Sequence, residues 1–271
     1  IQITLQARLE KFNLESLNLL CSADELDLKT LGTKKVALFA LIPDNDTSFN
    51  FLVSMLYTQL FQQLFYIADH VYGGNLPIPV HFLMDEFSNV SLPDDFDKIL
   101  SVMRSRGVSV SIILQNLAQL KALFEKQWES IIGNCDASLF LGGKEPTTLK
   151  ALSEALGRET IDTYNTGESR GRETSHSLNY QKLGKSLLSV DELEVLDGGK
   201  CILQLRGVRP FLSSKYDITK HPHYKYLSDA DPKNAFDVER FIRRKMKVKA
   251  DTVTDVYEVD AEENGDELSI E

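Results

Sequence analysis

Short apolar runs that alternate with amphipathic stretches restrict the fold of this chain more than any other feature of its sequence. The runs are VALFALI at 36–42, VHFLM at 80–84, VSVSIIL at 108–114, ASLFL at 137–141 and, further on, CILQL at 201–205. Short continuous runs rich in Val, Ile and Phe are typical of strands that are buried on both faces. The sequence therefore predicts an α/β fold, with a mostly parallel sheet and crossover helices.

Three stretches between these runs predict the helices, at residues 48–68, 94–106 and 147–156. Each is followed by glycine, which is favoured just beyond a helix C-terminus. The polar segment 165–185, rich in Ser, Thr, Arg and Gly, predicts an excursion over the surface.

Composition limits the location of the chain and the charge that it presents. No apolar run approaches the ~18 residues of a membrane span, and three cysteines without a CxxC pair fit a reducing cytoplasm. The net charge is −10, but residues 251–271 hold nine Asp and Glu and no Lys or Arg, which leaves about −1 elsewhere. We expect this acidic tail to be disordered. The rest of the chain, being nearly neutral, neither excludes nor favours contact with DNA.

Two adjacent carboxylates follow the second apolar run, at Asp85 and Glu86 in HFLMDEF. A buried parallel strand presents its functional residues at its C-terminal end. There Asp85 could orient Mg²⁺ through its water shell, and Glu86 could polarise the water that attacks a γ-phosphate. The alternative is a strand that simply ends in solvated acids.

Two polar residues downstream extend this hypothesis. Gln115 stands at the end of the next run, in ILQN, where its amide could sense the γ-phosphate. Arg104, in MRSRG, could reach across a subunit boundary to a transferring phosphoryl group. The alternatives are that Gln115 caps the next helix and that Arg104 only complements a helix dipole.

The order of these motifs resembles the type IV secretion coupling proteins, the TraG/TraD-like conjugal-transfer ATPases. The likeness covers most of the chain between Asp24 and Tyr226, and its motifs occur in the order LMDEF, RSRG, ILQN, LKALF, IIGNCDASLFLGG, EALG, LLSVDEL, GGKCILQLRGVRPF and YDITKHPHY. The resemblance implies a RecA-like P-loop NTPase core that uses ATP and Mg²⁺. It also implies a membrane-anchored homo-hexamer, with this part in the cytoplasm.

The resemblance further implies a motor that moves DNA, expected to be single-stranded, through the lumen of its ring. Its partners would be a relaxase, relaxosome accessory proteins and the subunits of a type IV secretion channel. On the family's motifs, Asp85 and Glu86 match the Walker B pair, Gln115 the glutamine of the next strand and Arg104 the arginine finger. Two further arginines match a basic motif of the family and are candidates for cofactor binding: Arg206 and Arg209.

The chain departs from the family in one essential motif. A P-loop requires GxxxxGK[ST], whose backbone N–H groups surround the phosphates, and this pattern is absent from the sequence. The nearest candidate, LGGKEPTT at 141–148, has the wrong spacing and predicts a strand-to-helix turn. The family's P-loop strand lies beside the ILQN strand, so the resemblance implies a gap in the sheet.

The resemblance divides the chain into four segments: the end of an all-α insert at 1–23, the C-terminal part of the RecA-like domain at 24–228, a helix at 229–250 and the acidic tail at 251–271. We expect this chain alone to be inactive and its parent protein to be an ATPase. Two other functions stay open. One is a RecA-like hexameric helicase or translocase unrelated to secretion, and the other is a non-hydrolytic module that docks a relaxase.

Overall fold

The structure is a computed structural model that describes residues 12, 17, 21–24, 26–42, 48–93, 95–170, 174–237, 239–241 and 243. Most of the predicted insert remnant at 1–23 and the whole predicted tail at 251–271 lie outside the described residues. The chain divides into two compact units, Ile1–Lys215 and Tyr216–Glu271.

The regular elements of the first unit are short. Its strands are β1 (Val80–Met84), β2 (Val108–Ile112), β3 (Ala137–Phe140), β4 (Arg158–Arg170), β5 (Thr174–Ser186), β6 (Lys200–Leu205) and β7 (Phe211–Ser214). Its described α-helices are α1 (Asn50–Tyr66), α2 (Phe96–Met103), α3 (Leu117–Leu123), α4 (Trp128–Gly133), α5 (Pro146–Leu156) and α6 (Val190–Glu194). Helix α1 continues as a π-helical turn at Ile67–Val71, and α2 as a 3-10 turn at Arg104–Arg106.

The parallel arrangement predicted from the apolar runs is confirmed for β1 and β2. They pair in parallel, in register from Val80↔Val108 to Met84↔Ile112. Helix α1 packs on them through residues spaced three and four apart, which form one stripe: Tyr57, Leu60, Phe61 and Leu64. The two strands, α1 and α2 therefore share one hydrophobic core.

Helices α1, α2 and α5 correspond to the three predicted helices. The observed bounds are shorter than predicted for the first two, because their last turns are π and 3-10 rather than α. Gly107 adopts φ 75°, a left-handed conformation that ends α2 and its 3-10 turn at the predicted glycine. Gly157 likewise follows α5 directly.

The predicted strand at 36–42 is wrong in this structure. The segment has no regular secondary structure, and its apolar side chains are exposed except for the half-buried Ile42, with Phe39 at 86%. Among the described residues, no strand pairs with it. A β-prone run forms a strand only when a neighbour completes its backbone hydrogen bonds.

The prediction of a parallel arrangement is also wrong for the last two runs. Strands β3, β6 and β7 form a separate three-stranded antiparallel sheet, in that order. The turn after β6 contains Gly207 at φ 79°, which lets the chain fold back into β7. Apolar composition predicts that a strand is buried, but it does not predict the direction of the partner strand.

A second, smaller core lies beside this antiparallel sheet. It consists of buried residues of α5, α6 and β6: Leu149, Leu152, Leu156, Leu193 and Ile202. The N-terminus of α6 is fixed by a capping box between Ser189 and Glu192. Hydrogen bonds from the Ser189 backbone and hydroxyl, with a further one from Lys185, lower the pKa of Glu192.

The polar segment 165–185 is more regular than its composition predicts. Its described residues, 165–170 and 174–185, belong to a two-stranded antiparallel ribbon, β4–β5, in register from Arg158↔Ser186 to Arg170↔Thr174. Neither strand pairs with another strand among the described residues. The side chains of residues 180–185 are exposed, as expected for a surface position.

The described part of the second unit consists mainly of short 3-10 turns, at Ile218–Lys220, Tyr224–Tyr226 and Pro232–Asn234. Asp217 opens the first turn by accepting hydrogen bonds from the hydroxyl and backbone of Thr219, which lower its pKa. Within the described ranges of both units, no helix is long and apolar enough to cross a membrane.

Candidate functional site

The two adjacent carboxylates lie where the sequence predicts them, directly after β1. Met84 is the last residue of the strand, and Asp85 and Glu86 occupy the exposed turn that follows. Phe87 is fully buried in the aromatic core, where its ring packs against Phe96 and Phe124. The turn is therefore anchored on both sides while its two carboxylates face solvent.

Backbone pairing at this turn departs from a regular parallel ladder. Ile113 donates its N–H to the Met84 carbonyl at 3.0 Å and accepts from the Phe87 N–H at 3.0 Å. In a regular parallel ladder the second contact would come from residue 86, so the turn contains one extra residue, as in a β-bulge. Glu86 accommodates it with φ 45° and ψ 50°, a left-handed conformation that is uncommon outside glycine. Such backbone strain concentrates at functional sites.

Hydrogen bonds orient both carboxylates but leave oxygens available. Asp85 Oδ1 accepts from the Glu86 backbone N–H at 3.0 Å. Glu86 Oε2 accepts from Asn89 Nδ2 at 3.1 Å. Among the described residues, the second oxygen of each carboxylate has no hydrogen-bond partner, and carboxylate oxygens are the ligands that Mg²⁺ prefers. This donor set fits a hydrated magnesium ion.

Gln115 lies at the same end of the parallel pair as the carboxylates, three residues beyond the C-terminal end of β2. Its side-chain oxygen accepts from Gln119 Nε2 at 3.4 Å, and its backbone N–H donates to Gln119 Oε1 at 3.3 Å. Asn116, not Gln115, caps α3, because Asn116 Oδ1 accepts from the Gln119 N–H at 3.0 Å. The Gln115 side chain is therefore not the helix cap.

A chain of hydrogen bonds joins the start of α3 to the start of α5. The Leu117 N–H donates to Thr148 Oγ1 at 2.9 Å, and this hydroxyl donates to Glu145 Oε2 at 2.6 Å. Glu145 also accepts the backbone N–H groups of Thr147 and Thr148, each at 2.8 Å. The Thr148 hydroxyl, followed by these other hydrogen bonds, lowers the pKa of Glu145 to about 2. LGGKEPTT is thus a strand-to-helix turn, as predicted, and it holds the segment next to Gln115.

Arg104 lies at the opposite end of the parallel pair, where β1 begins. Its carbonyl accepts from the Gly107 N–H, and the Gly107 carbonyl accepts from the N–H of Val80, the first residue of β1. With a rise of about 3.3 Å per residue, β1 spans roughly 13 Å from Val80 to Met84, and the carboxylates follow its far end. The Arg104 side chain is 86% exposed. Within one chain the predicted finger therefore does not meet the carboxylates.

Arg106 has a different role from Arg104. Its guanidinium makes a bidentate contact with Asp69, with Nε–Oδ1 at 3.0 Å and Nη2–Oδ2 at 2.8 Å, and it stacks over Phe65. It also donates to the Val102 carbonyl. Arg106 thus fastens α2 to the π-helical turn after α1, which leaves Arg104 as the exposed arginine of RSRG.

The structure brings Arg206 close to Arg104. Both arginines contact Asp136, the first through Nε at 2.8 Å and the second through Nη1 at 3.5 Å. Arg209 is exposed in the turn between β6 and β7.

Burial, with the charge of Asp136 as a second cause, raises the pKa of the neighbouring Cys135 thiol.

Sequence patterns assigned no role to three residues that hold the predicted site or the segments beside it: Asn89, Asp136 and Thr148. Asn89 follows Glu86 by three residues, a spacing that could have suggested a side-chain contact within one turn. The contacts of Asp136 with the arginines and of Thr148 with Leu117 join residues 31 or more positions apart. No local pattern carries that information.

Residues 79–198 match the model of a family described as the TraM recognition site of TraD and TraG. The matched region contains Asp85, Glu86, Arg104 and Gln115, and it ends before Arg206 and Arg209. Protein VirD4 of Rhizobium rhizogenes is 21% identical over 220 residues, which are 80% of this chain and 31% of that protein. VirD4 of Rhizobium radiobacter is 22% identical over 218 residues, 80% of this chain and 30% of that protein. The chain thus spans less than a third of these relatives.

Solved structures of conjugative coupling proteins are also similar to this chain. An unbound form of the bacterial conjugative coupling protein TrwBdeltaN70 matches with a TM-score of 0.48 at 15% identity, over 62% of this chain and 37% of that one. The plasmid coupling protein TrwB in complex with ADP and Mg²⁺ matches with a TM-score of 0.45 at 16% identity, over 64% of this chain and 40% of that one. The family match and the VirD4 relatives confirm the resemblance to type IV coupling proteins that the motifs predicted.

Proposed function

We propose that this chain is the C-terminal part of the motor of a type IV coupling protein, an ATPase that moves DNA to a secretion channel in conjugation. The observation that supports this most is the strained turn at Asp85 and Glu86. Its two exposed carboxylates lie beside the Gln115 segment, within the region that matches the coupling-protein family. Residues 24–228 would form the C-terminal part of a RecA-like nucleotide-binding domain.

The second edges of β2 and β3, unpaired among the described strands, support the RecA-like assignment. Strand β2 pairs with β1 along one edge, and β3 pairs with β6 along one edge. Among the described strands, none occupies the second edge of either. A P-loop strand from the preceding part of a longer protein would lie between them and join the two sheets into one.

The chain's own residues would perform half of the chemistry. Mg²⁺ bound to ATP would supply the positive charge that stabilises the phosphates in the transition state. Asp85 would hold the hydrated ion through its free carboxylate oxygen. Glu86, held by Asn89, would accept a hydrogen bond from the attacking water and turn its lone pair toward the γ-phosphate.

Gln115 and Arg104 would complete the site from two directions. Gln115 lies at the same end of the parallel strands as the carboxylates, where its amide can donate to a phosphate oxygen and accept from water. Arg104 lies at the other end of the parallel strands and is largely exposed, so it would act on the site of a neighbouring subunit. This arrangement requires a ring, and we propose a homo-hexamer anchored to the membrane by a part outside this chain.

The resemblance to coupling proteins implies the partners of such a ring. We propose that it moves single-stranded DNA through its lumen, and that it contacts a relaxase, relaxosome accessory proteins and the subunits of the secretion channel. Arg206 and Arg209 lie outside the matched region. Since Arg206 contacts Asp136 and Gly133, we assign it no direct contact with nucleotide.

The decisive experiment is Glu86→Gln in the longer coupling protein that contains this sequence. The substitution keeps the hydrogen bond from Asn89 but removes the charge that polarises water. We expect ATP affinity to change less than threefold and turnover to fall by about 10³-fold, a loss of the size found for such water-positioning groups. ATP binding is measured by fluorescence titration and turnover by phosphate release.

Asn89→Ala serves as the graded control, because it frees the Glu86 side chain without removing it, and it should lower turnover by only about tenfold. Undiminished hydrolysis by the Glu86→Gln protein would refute the assignment. The chain of 271 residues alone should bind ATP weakly and show negligible turnover, since a P-loop supplies most phosphate contacts.

A second function, docking of a relaxosome protein, is favoured by the description of the matched family as a recognition site for TraM. The β4–β5 ribbon falls within the matched residues and pairs with no other described strand. It is therefore the structural element that we propose as the contact surface.

The register of the ribbon permits a clean test. Tyr164 is paired with Tyr180, so residues 165–179 can be replaced by Asn-Gly, which forms a two-residue hairpin turn and keeps the pairing below it. We expect the shortened chain to lose retention of a purified relaxosome accessory protein. Equal retention by both chains would remove the outer ribbon from the contact surface.

A further inference from the structure

Arg206 is held in a defined orientation at the end of β6. Its backbone N–H donates to the Asp136 carbonyl at 2.9 Å, its Nε lies 2.8 Å from Asp136 Oδ1, and its Nη2 donates to the Gly133 carbonyl at 2.9 Å. These three contacts join the end of β6, the residue before β3 and the last residue of α4. Arg206 therefore fixes the Asp136 carboxylate from one side.

The other oxygen of the same carboxylate faces the predicted finger. Asp136 Oδ2 lies 3.5 Å from Nη1 of Arg104. Because Oδ1 is engaged by Arg206, rotation of the carboxylate is restricted and Oδ2 stays directed at Arg104. The three side chains thus form a row, Arg206–Asp136–Arg104, that runs from the antiparallel sheet to the end of α2.

We propose that Asp136 is a positioning residue for Arg104, and that Arg206 acts as the clamp that orients Asp136. This inference rests on the proposed function, in which Arg104 reaches the nucleotide of a neighbouring subunit. Asp136 directs the Arg104 guanidinium before the neighbour arrives, so that less side-chain freedom is lost when the finger engages. Arg206 is then a residue that acts through Asp136 and does not itself touch nucleotide.

The exposure of the row decides what kind of effect to expect. Arg104 is 86% exposed and Asp136 is 51% exposed, so their ion pair adds little to the stability of the fold. If the row stabilises the fold, the contacts of Arg206 account for that effect. If the row positions the finger, the Arg104 side chain is ordered. The two roles separate experimentally.

The first test measures that order in the 271-residue chain without nucleotide. Order parameters of the arginine Nε–Hε groups are obtained by ¹⁵N relaxation, with Arg209, exposed in the turn after β6, as the internal reference. We expect the value of Arg104 to exceed that of Arg209, and to fall to the Arg209 level in Asp136→Asn and in Arg206→Ala. Equal mobility of Arg104 and Arg209 in the unsubstituted chain would overturn the proposal.

The second test is a double-mutant cycle on turnover in the longer coupling protein. We expect Arg104→Ala to lower kcat by about 10³-fold. We expect Asp136→Asn to lower it by about tenfold with KM unchanged, because misplacement of the finger affects the transition state alone. The double variant should be no slower than Arg104→Ala alone, since Asp136 acts only through Arg104.

Asp69→Asn is the matched control, because it releases Arg106 of the same turn instead of Arg104. It should leave kcat unchanged, both in the otherwise unsubstituted protein and in the Arg104→Ala protein. Additive losses from Asp136→Asn and Arg104→Ala would overturn the positioning role while leaving the finger intact. Unchanged turnover in Arg104→Ala would instead refute the finger, and with it the proposed function.

Discussion

Two of the three described sheets of the first unit, β1–β2 and β3–β6–β7, are built from similarly short apolar strands, yet they contribute to the candidate site in different ways. The parallel pair β1–β2 presents Asp85, Glu86 and Gln115 at the carboxyl ends of its strands. The antiparallel sheet β3–β6–β7 presents Asp136 and Arg206 at a corner, where they contact Arg104. The first sheet thus holds the groups proposed to act on water and metal, and the second holds the group proposed to orient the finger.

The hydrophobic cores that pack against these two sheets also differ, in composition and in size. The first core contains a cluster of aromatic rings, in which the buried Phe96 packs against Phe61 and Phe87. The second core is smaller and aliphatic. The Phe87 ring anchors the residue after the carboxylate turn in this cluster, whereas hydrogen bonds and ion pairs orient the arginine row.

The largest effect on stability is expected from Phe96→Ala, in the first core. Phe96 is fully buried and its ring contacts Phe61, Phe87 and Phe124. Removing the ring leaves a cavity, so the free energy of unfolding should fall by about 3–5 kcal/mol. Urea denaturation measures the loss.

Phe39→Ala is the control, because this ring is 86% exposed and its removal should change stability by less than about 0.5 kcal/mol. If Phe96→Ala lost no more stability than a surface substitution, Phe96 would not hold the central place in the first core that we assign to it.

A smaller loss is expected from Leu193→Ala in the second core. Leu193 is fully buried, but it belongs to a cluster of five buried residues. The free energy of unfolding should fall by about 2–3 kcal/mol, as for an ordinary buried leucine. A loss equal to that of Phe96→Ala would show that the two cores contribute alike and would remove the contrast between them.

The smallest effect is pH-dependent and concerns the link between α3 and α5. Hydrogen bonds, above all that from the Thr148 hydroxyl, lower the pKa of Glu145 from 4.5 to about 2. A carboxyl with a lowered folded pKa stabilises the protein above its unfolded pKa, and this stabilisation is lost as the pH falls toward the folded value. The advantage of Glu145 over Glu145→Gln should therefore be full at neutral pH and should shrink between pH 4.5 and pH 2.

Urea midpoints of both proteins, measured in parallel across this range, give the difference directly. A difference that stays constant as the pH falls would show that the charge of Glu145 contributes nothing through these hydrogen bonds.

The two sheets also mark how far the sequence predicts the structure. Strands β1 and β2, the three helices and the carboxylate turn followed from local patterns, because a buried parallel pair with a crossover helix leaves a continuous apolar signal. The same signal at 36–42 gave no strand, since Phe39 and its neighbours meet no partner among the described residues. The direction of β3 and β6 was mispredicted, because direction depends on turns and partners.

The candidate site shows a similar limit. Asp85 and Glu86 could be found because the residues that follow a strand are fixed by chain order. The left-handed backbone of Glu86 could not, since it results from one extra residue opposite Ile113. The row from Arg206 to Arg104 is formed by contacts between distant segments, which no pattern within one segment encodes.

The central claim, that Arg104 serves the carboxylates of another subunit, is tested most directly by mixing two inactive variants of the longer coupling protein. Glu86→Gln subunits still present Arg104, and Arg104→Ala subunits still present Glu86. If the finger acts between subunits, equal mixing should restore intact sites at roughly a quarter of the interfaces in a random ring. ATPase activity should then return to a comparable fraction of that of the unsubstituted protein. If mixed rings stay as inactive as either variant alone, Arg104 does not act across the subunit boundary and the account is wrong.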